Sequence, residues 1–329
     1  MRFLLLILII LTCCGAALQC TTPYKEPTST VSQANQATVP PPDTASIPND
    51  VYGNTIRYGR NLILHTAYYI GPSGISGQYT RNRMNCTNCH QEAGTKPYSL
   101  NLMLSHEKYP QYRPREDKIL TLANRVNNCV MRPHSGIPLP LDSKEMTAIL
   151  TYLKWLYTQV DKTKNYQGFE NLEIALPNRA ADPAQGAIVY QQQCQRCHQA
   201  NGAGVMLPSG ITYEYPPLWG SQAYQPGSSM HRIIKQARWL KANMPHLQAQ
   251  WYAPILTDEQ ALDVAAFVND DNIHPRPTPP TLDYPNPATK NIDYGVGPFI
   301  DTFSATQHKY GPYPPIIEYW KSKGLKPAY

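Results

Sequence analysis

Apolar residues recur at helical spacing in paired stretches of this 329-residue chain. One pair comprises Asn54–Ile70, with Leu62, Ile63, Thr66, Ala67 and Ile70 on one face, and Pro183–Gln193, with Ile188 and Val189. Pro183 suits the first turn of a helix. The other pair is announced by capping signals. Asp142-x-x-Glu145 precedes Met146, Ile149, Leu150, Leu153 and Leu156, and Thr257-x-x-Gln260 precedes Leu262, Val264, Ala265 and Val268. Asp117–Asn128 and Ser229–Leu240 also read as helices. A strand–helix–strand alternation is lacking, so the expected class is mainly α. An opening helix, irregular loops and a closing helix occur twice, as in degenerate copies of one small domain.

The flanks read differently. Residues 1–19 have the form of an export signal: Arg2, the apolar run Phe3–Leu11, then the small residues Gly15, Ala16 and Ala17. That run is shorter than the roughly 20 apolar residues a membrane span needs. Cys20 is a candidate for lipid attachment, although Leu18 and Gln19 before it fit a lipobox poorly. Residues 20–48, rich in Pro, Thr, Ser, Asn and Gln, read as a flexible linker. The two copies are expected at residues 49–165 and 166–274, divided by the polar stretch Tyr157–Asp182. Residues 275–329, rich in Pro, Tyr and Gly, are expected as an extended tail over the surface. The expected location is periplasmic or otherwise exported, with anchoring as a lipoprotein the alternative to a soluble form.

The net charge of +6 includes no basic block, so a nucleic-acid partner has no support. The cysteines change the picture most. Cys86-Thr87-Asn88-Cys89-His90 and Cys194-Gln195-Arg196-Cys197-His198 both match the attachment signature of c-type haem. In such a site the two thiols form thioethers with the porphyrin and the His is the proximal iron ligand. A zinc site would need two further Cys or His near each pair, and a thioredoxin-type pair would need a βαβ setting. Neither is present. Each copy therefore has the layout of a small cytochrome c domain, with two covalently bound haem c in all, and the chain moves electrons. Covalent haem attachment on the exported side of a membrane agrees with the export signal. Of eight Cys, three (Cys13, Cys14, Cys20) lie at the signal and four hold haem, which leaves Cys129.

The ligand opposite each proximal His decides the chemistry. A His/Met iron is an electron-transfer iron with a raised potential, whereas a thiolate donates strong electron density. Met244-Pro245 lies 46 residues after His198, the usual source of such a ligand, with Met206 and Met230 as rivals and simple packing as the plainer role. Cys129 lies 39 residues after His90, in the equivalent stretch of its copy. Met131, Met103, His106 and His134 are alternatives there, and a buried inert thiol is the plainer role. A reactive thiol needs an electropositive setting. Arg113, Arg115, Arg125 and Arg132 flank this one, and a helix would bring Arg125 and Cys129 (i, i+4) onto one face.

The chain resembles the dihaem cytochrome c thiosulfate dehydrogenase (tetrathionate synthase) family. The resemblance rests on Gly59-Arg60-Asn61-Leu62, His65-Thr66-Ala67, Gly71-Pro72, Asn85–His90, Ala93-Gly94-Thr95, Tyr109–Arg113 and Arg125–Cys129. It continues through Pro217-Leu218-Trp219-Gly220, Ala242-Asn243-Met244-Pro245 and Gln307–Pro312, and so covers roughly residues 50–318. It implies a His90/Cys129 active-site haem, a His198/Met244 electron-exit haem, and Arg115 and Arg125 binding an anionic substrate. The implied activity is oxidation of two thiosulfate to tetrathionate, or the reverse, with electrons leaving to an external carrier such as a small cytochrome c. Two positions depart from the family pattern: Pro133, where a Ser usually follows the Arg, and Asn243, where some members carry a Lys. The alternatives are an electron-transfer dihaem cytochrome without substrate and the Cys-ligated cytochrome subunit of a sulfur-oxidising multienzyme system. A dihaem peroxidase is a weaker alternative, since it has no use for Cys129.

Overall fold

The computed structural model describes residues 37–277 and 283–329. The expected export signal and Cys20 lie outside the described residues.

Helices dominate the described residues: α1 (Val51–Leu64), α2 (Thr66–Ile70), α3 (Gln91–Gly94), α4 (Leu122–Met131), α5 (Lys144–Thr158), α6 (Pro183–Gln193), α7 (Gln195–His198), α8 (Ile233–Asn243), α9 (Asp258–Val268), α10 (Ala305–Tyr310) and α11 (Pro314–Ser322). Besides short 3-10 turns there are two short antiparallel hairpins, β1 (Gln111–Arg113) with β2 (Lys118–Leu120) and β3 (Val205–Met206) with β4 (Tyr213–Tyr215). Each half is built where its opening and closing helices cross, α1 on α5 and α6 on α9. Both crossings pass over a glycine. A Cβ on Gly59 would stand 2.0 Å from Ala148 O, and one on Gly186 would stand 2.0 Å from Asp263 O. Only hydrogen fits there. Gly186→Val is therefore expected to force α6 and α9 apart and cost about 3 kcal/mol. The checkable sign is a fall of about 5 °C or more in the unfolding midpoint; an unchanged midpoint would mean the helices do not meet so closely.

The apolar stripes bury as the pattern implies, except that Ile188 on α6 is exposed and Tyr190 is buried beside Val189 in its place. Ile56, Leu62, Ile63, Met146, Ile149 and Leu153 enter one core, and Val189, Tyr190, Leu262, Val264 and Val268 another. Thr257 and Gln260 form a full capping box on α9. Elsewhere local signals yield to tertiary partners. The stretch 54–70 is not one helix, because the N–H of Ala67 goes to Asn85 Oδ1 (2.9 Å) and the chain breaks at His65. Ser143, not Asp142, caps α5, and Glu145 instead accepts from the Tyr58 hydroxyl at 2.8 Å. The helix expected over 117–128 starts only at Leu122, capped by Thr121, because Asp117 turns the β1–β2 hairpin with φ 52°. The helix expected over 229–240 is a 3-10 turn at Ser229–His231 followed by α8.

Two expectations about the flanks are corrected. Within the expected linker, Val39 and Ile47 are buried in the first core and Thr38 bridges to Gln167, since even a polar segment docks where two apolar side chains find a core. The tail 275–329 is not a plain wrap. It forms α10 and α11, the latter starting on Pro314-Pro315, and it sends Tyr313, Ile316 and Trp320 into the second core.

Candidate functional site

Two adjoining cavities of about 430 and 290 Å³ open around the first motif. Their walls share Cys86, His90, Arg113, Arg125, Cys129, His134 and Lys235. The smaller is closed by Leu62, Ile63, Ile70, Ile149 and Leu153, an apolar surface suited to a porphyrin. His90 Nδ1 lies 2.5 Å from Leu100 O, so it donates there and leaves Nε2 for a metal. An oriented imidazole and Cys86 on the apolar-walled cavity, with Cys89 on the adjoining one, fit haem c.

Cys129 stands on α4, one turn after Arg125, as the i, i+4 reading required. The Arg125 guanidinium donates from Nη1 to Cys129 Sγ at 3.2 Å. Burial opposes ionisation of this thiol. The Arg125 charge, a hydrogen bond from His90 and the charges of His90 and Arg132 outweigh burial and bring it down to about 7. Burial leaves the attachment thiols the other way, Cys86 at about 11 and Cys89 at about 12. Among the thiols of the first half, Cys129 is the one set up as a thiolate.

The rival ligands fall in different places. Met103 is fully buried in the first core, and His106 packs against the Tyr157 ring at 5.8 Å. Met131 and His106 do not line either cavity. His134 does, with Nδ1 3.1 Å from Asn82 Oδ1 and Nε2 3.7 Å from Cys86 Sγ. Burial, then the charge of His90, lowers it to about 4, so it is a neutral imidazole.

Six cationic side chains line the larger cavity against one carboxylate, Glu116. Their commitments differ. Arg115 bonds to Gly227 O and, at 3.0 Å, to Asp283, with its guanidinium over the rings of Tyr284 and Tyr294. Arg132 pairs with Asp283 at 2.6 Å and Glu116 at 3.1 Å. Arg232 pairs with Asp293 at 3.0 Å. Arg125 is turned to the thiol. Pro133, at the position where a Ser is usual, lines the cavity and offers its carbonyl to Asn82 Nδ2 at 2.8 Å. Sequence reasoning missed Asp283, Tyr284 and Lys235, which arrive from the tail and from α8. A lone Lys between the buried residues Ile234 and Gln236 was the one available signal.

At the second motif, Cys194 ends α6, Cys197 and His198 lie on α7, and His198 Nδ1 is 2.8 Å from Pro216 O. Of the methionines weighed there, Met230 lines the first cavity instead, and Met206 sits in the β3–β4 hairpin beside Tyr213. Met244 follows α8 directly and packs with Tyr224, Met230 and Trp239, next to Cys89 and Leu100. Trp239 Nε1 donates to Cys89 O at 3.0 Å. Asn243 is fully buried, with Nδ2 on Tyr98 O at 3.1 Å. One helix thus ties the first haem loop to the segment that ends at Met244.

Residues 77–156 match the SoxA/TsdA cytochrome c domain, and residues 183–270 match cytochrome c. The chain is 34% identical over 249 residues to the thiosulfate dehydrogenase of Stutzerimonas stutzeri, covering 76% of both proteins. It is 32% identical over 259 residues to that of Thiomonas intermedia, covering 78% of both. A solved structure of the thiosulfate dehydrogenase TsdBA from Marichromatium purpuratum superposes with a TM-score of 0.66 at 27% identity, over 76% of this chain and 51% of that one. The chain thus spans about half the length of that structure.

Proposed function

The chain belongs to the thiosulfate dehydrogenase family, and from that premise we propose that it joins two thiosulfate ions into tetrathionate at its first haem site. It is a mainly α protein of two cytochrome c domains carrying two covalently bound haem c. Cys86, Cys89, Cys194 and Cys197 carry the thioethers; His90 and Cys129 hold one iron, and His198 and Met244 the other. When bound, the haems supply one-electron acceptors, the first facing the substrate and the second passing electrons to an external carrier such as a small cytochrome c.

The observation that carries this reading is the Cys129 thiol on the wall of the larger cavity, 3.2 Å from the Arg125 guanidinium. Two thiosulfate dianions repel each other, and the cations of the larger cavity offset that repulsion. The Cys129 thiolate and the sulfane sulfur of one thiosulfate form a sulfur–sulfur bond, releasing two electrons and leaving Cys129–S–S–SO3⁻. The sulfane sulfur of a second thiosulfate attacks that sulfur, as in disulfide exchange, and Cys129 leaves as thiolate. Tetrathionate departs, and no proton is consumed. Arg125 holds the thiolate ready for each cycle, and Arg115 shapes the cavity wall.

Covalent haem places the protein on the exported side, in the periplasm of a bacterium with two membranes. None of the described helices is long and apolar enough to cross a membrane. Attachment of a lipid at Cys20 is the route by which it would be anchored.

The test is an anaerobic visible spectrum of the oxidised holoprotein before and after thiosulfate, with tetrathionate assayed. Growth of a reduced α-band with tetrathionate in proportion is expected. If both haems stay oxidised with thiosulfate yet reduce with dithionite, the reading fails.

A further inference from the structure

Lys235 stands on α8, in the second half, yet it lines both cavities of the first site. It is half-buried by accessible surface, and what remains open is cavity wall. Among the described residues no hydrogen-bond acceptor or carboxylate sits on its ammonium. Asp293, the carboxylate that acts on it, is bonded to Arg232 at 3.0 Å. The other charges that act on it are cations. Burial first, then Arg232 and Arg238, with Arg125 also contributing, push it down to about 7. Arg113 lines both cavities as well, with its Nε buried without a partner. A burial site for an unpaired ammonium is costly unless an anion completes it. Arg115, Arg132 and Arg232 already have carboxylates, so the cations left for an incoming oxyanion are Lys235 and Arg113.

We propose that Lys235, together with Arg113, grips the sulfonate end of thiosulfate, so that the substrate site of the first haem is completed by a helix of the second half. The proposal rests on the function argued above. It explains why α8 is tied to the first haem loop by Trp239 and Asn243. The grip leaves the sulfane sulfur free to face Cys129. A haem propionate is also a carboxylate anion and offers the same chemistry, and the test separates the two.

Lys235→Met and Lys235→Arg holoproteins, checked for two haems each, are assayed for thiosulfate oxidation beside wild type. The midpoint potential of the first haem is measured without thiosulfate. Losing one charge-assisted contact made equally in ground and transition states raises KM about 10- to 100-fold and leaves kcat near wild type. Lys235→Arg recovers most of the KM, and the substrate-free potential does not move. An unchanged KM in Lys235→Met overturns the proposal. A shifted substrate-free potential, whatever KM does, assigns Lys235 to the propionates and also overturns it. Should Lys235→Met fail to load haem, Lys235→Gln is read by the same two measures. A wild type that oxidises no thiosulfate would instead sink the proposed function and is recognised separately.

Discussion

Replacing Cys129 with Gly is expected to abolish thiosulfate turnover, lowering kcat by at least about 1000-fold, while both haems remain attached. Attachment depends on Cys86, Cys89, Cys194 and Cys197, none of which shares a bond with Cys129. Position 129 is half-buried on the cavity wall, and α4 is fastened by Thr121 at its start and by Asn127 to Leu139 O at 2.9 Å. The substitution therefore removes a reacting sulfur without dismantling the half. Cys129→Met is the companion experiment, since Met keeps a sulfur and a ligand to iron but cannot form the sulfur–sulfur bond. Both variants are checked by steady-state turnover and by covalent haem content. Full activity in either would take the thiolate out of the mechanism.

Arg125→Leu is expected to cost on the order of 3 kcal/mol, about 100-fold in kcat/KM, because one buried charge would be left without the other. The guanidinium lies 3.2 Å from Sγ, and without it burial drives the Cys129 thiol up and the reactive thiolate is lost. Arg125→Lys keeps a charge but loses the fork, so its loss is smaller. The mirror of this pairing is seen on Arg125, which the Cys129 charge, ahead of the opposing burial, holds above its ordinary value. Steady-state kcat/KM with both variants decides the point; equal activity of Arg125→Leu and wild type would mean the thiol is activated by another group. Arg115 behaves differently. With Asp283, Gly227 and two tyrosine rings as partners, it braces the tail against the cavity.

Much of this was legible in the chain itself. The two haem motifs are contiguous, so their chemistry is set by residue identity alone. The amphipathic stripes of α1, α5, α6 and α9 follow from the 3.6-residue period, and the cap on α9 from residues three apart. Arg125 and Cys129 meet because i, i+4 neighbours on any helix must. The tertiary structure decided the rest. Whether Arg115 or Arg132 is spent on Asp283, whether Ala67 gives its N–H to Asn85 and breaks a helix at His65, and whether Lys235 reaches a site in the other half all depend on partners distant in sequence. Local periodicity reports which face of a helix is apolar. It carries no information about which distant charge will stand opposite, and buried charges are governed by that pairing. The elements were therefore written along the chain, while the distribution of cations around Cys129 came into being only when the two halves and the tail closed on one another.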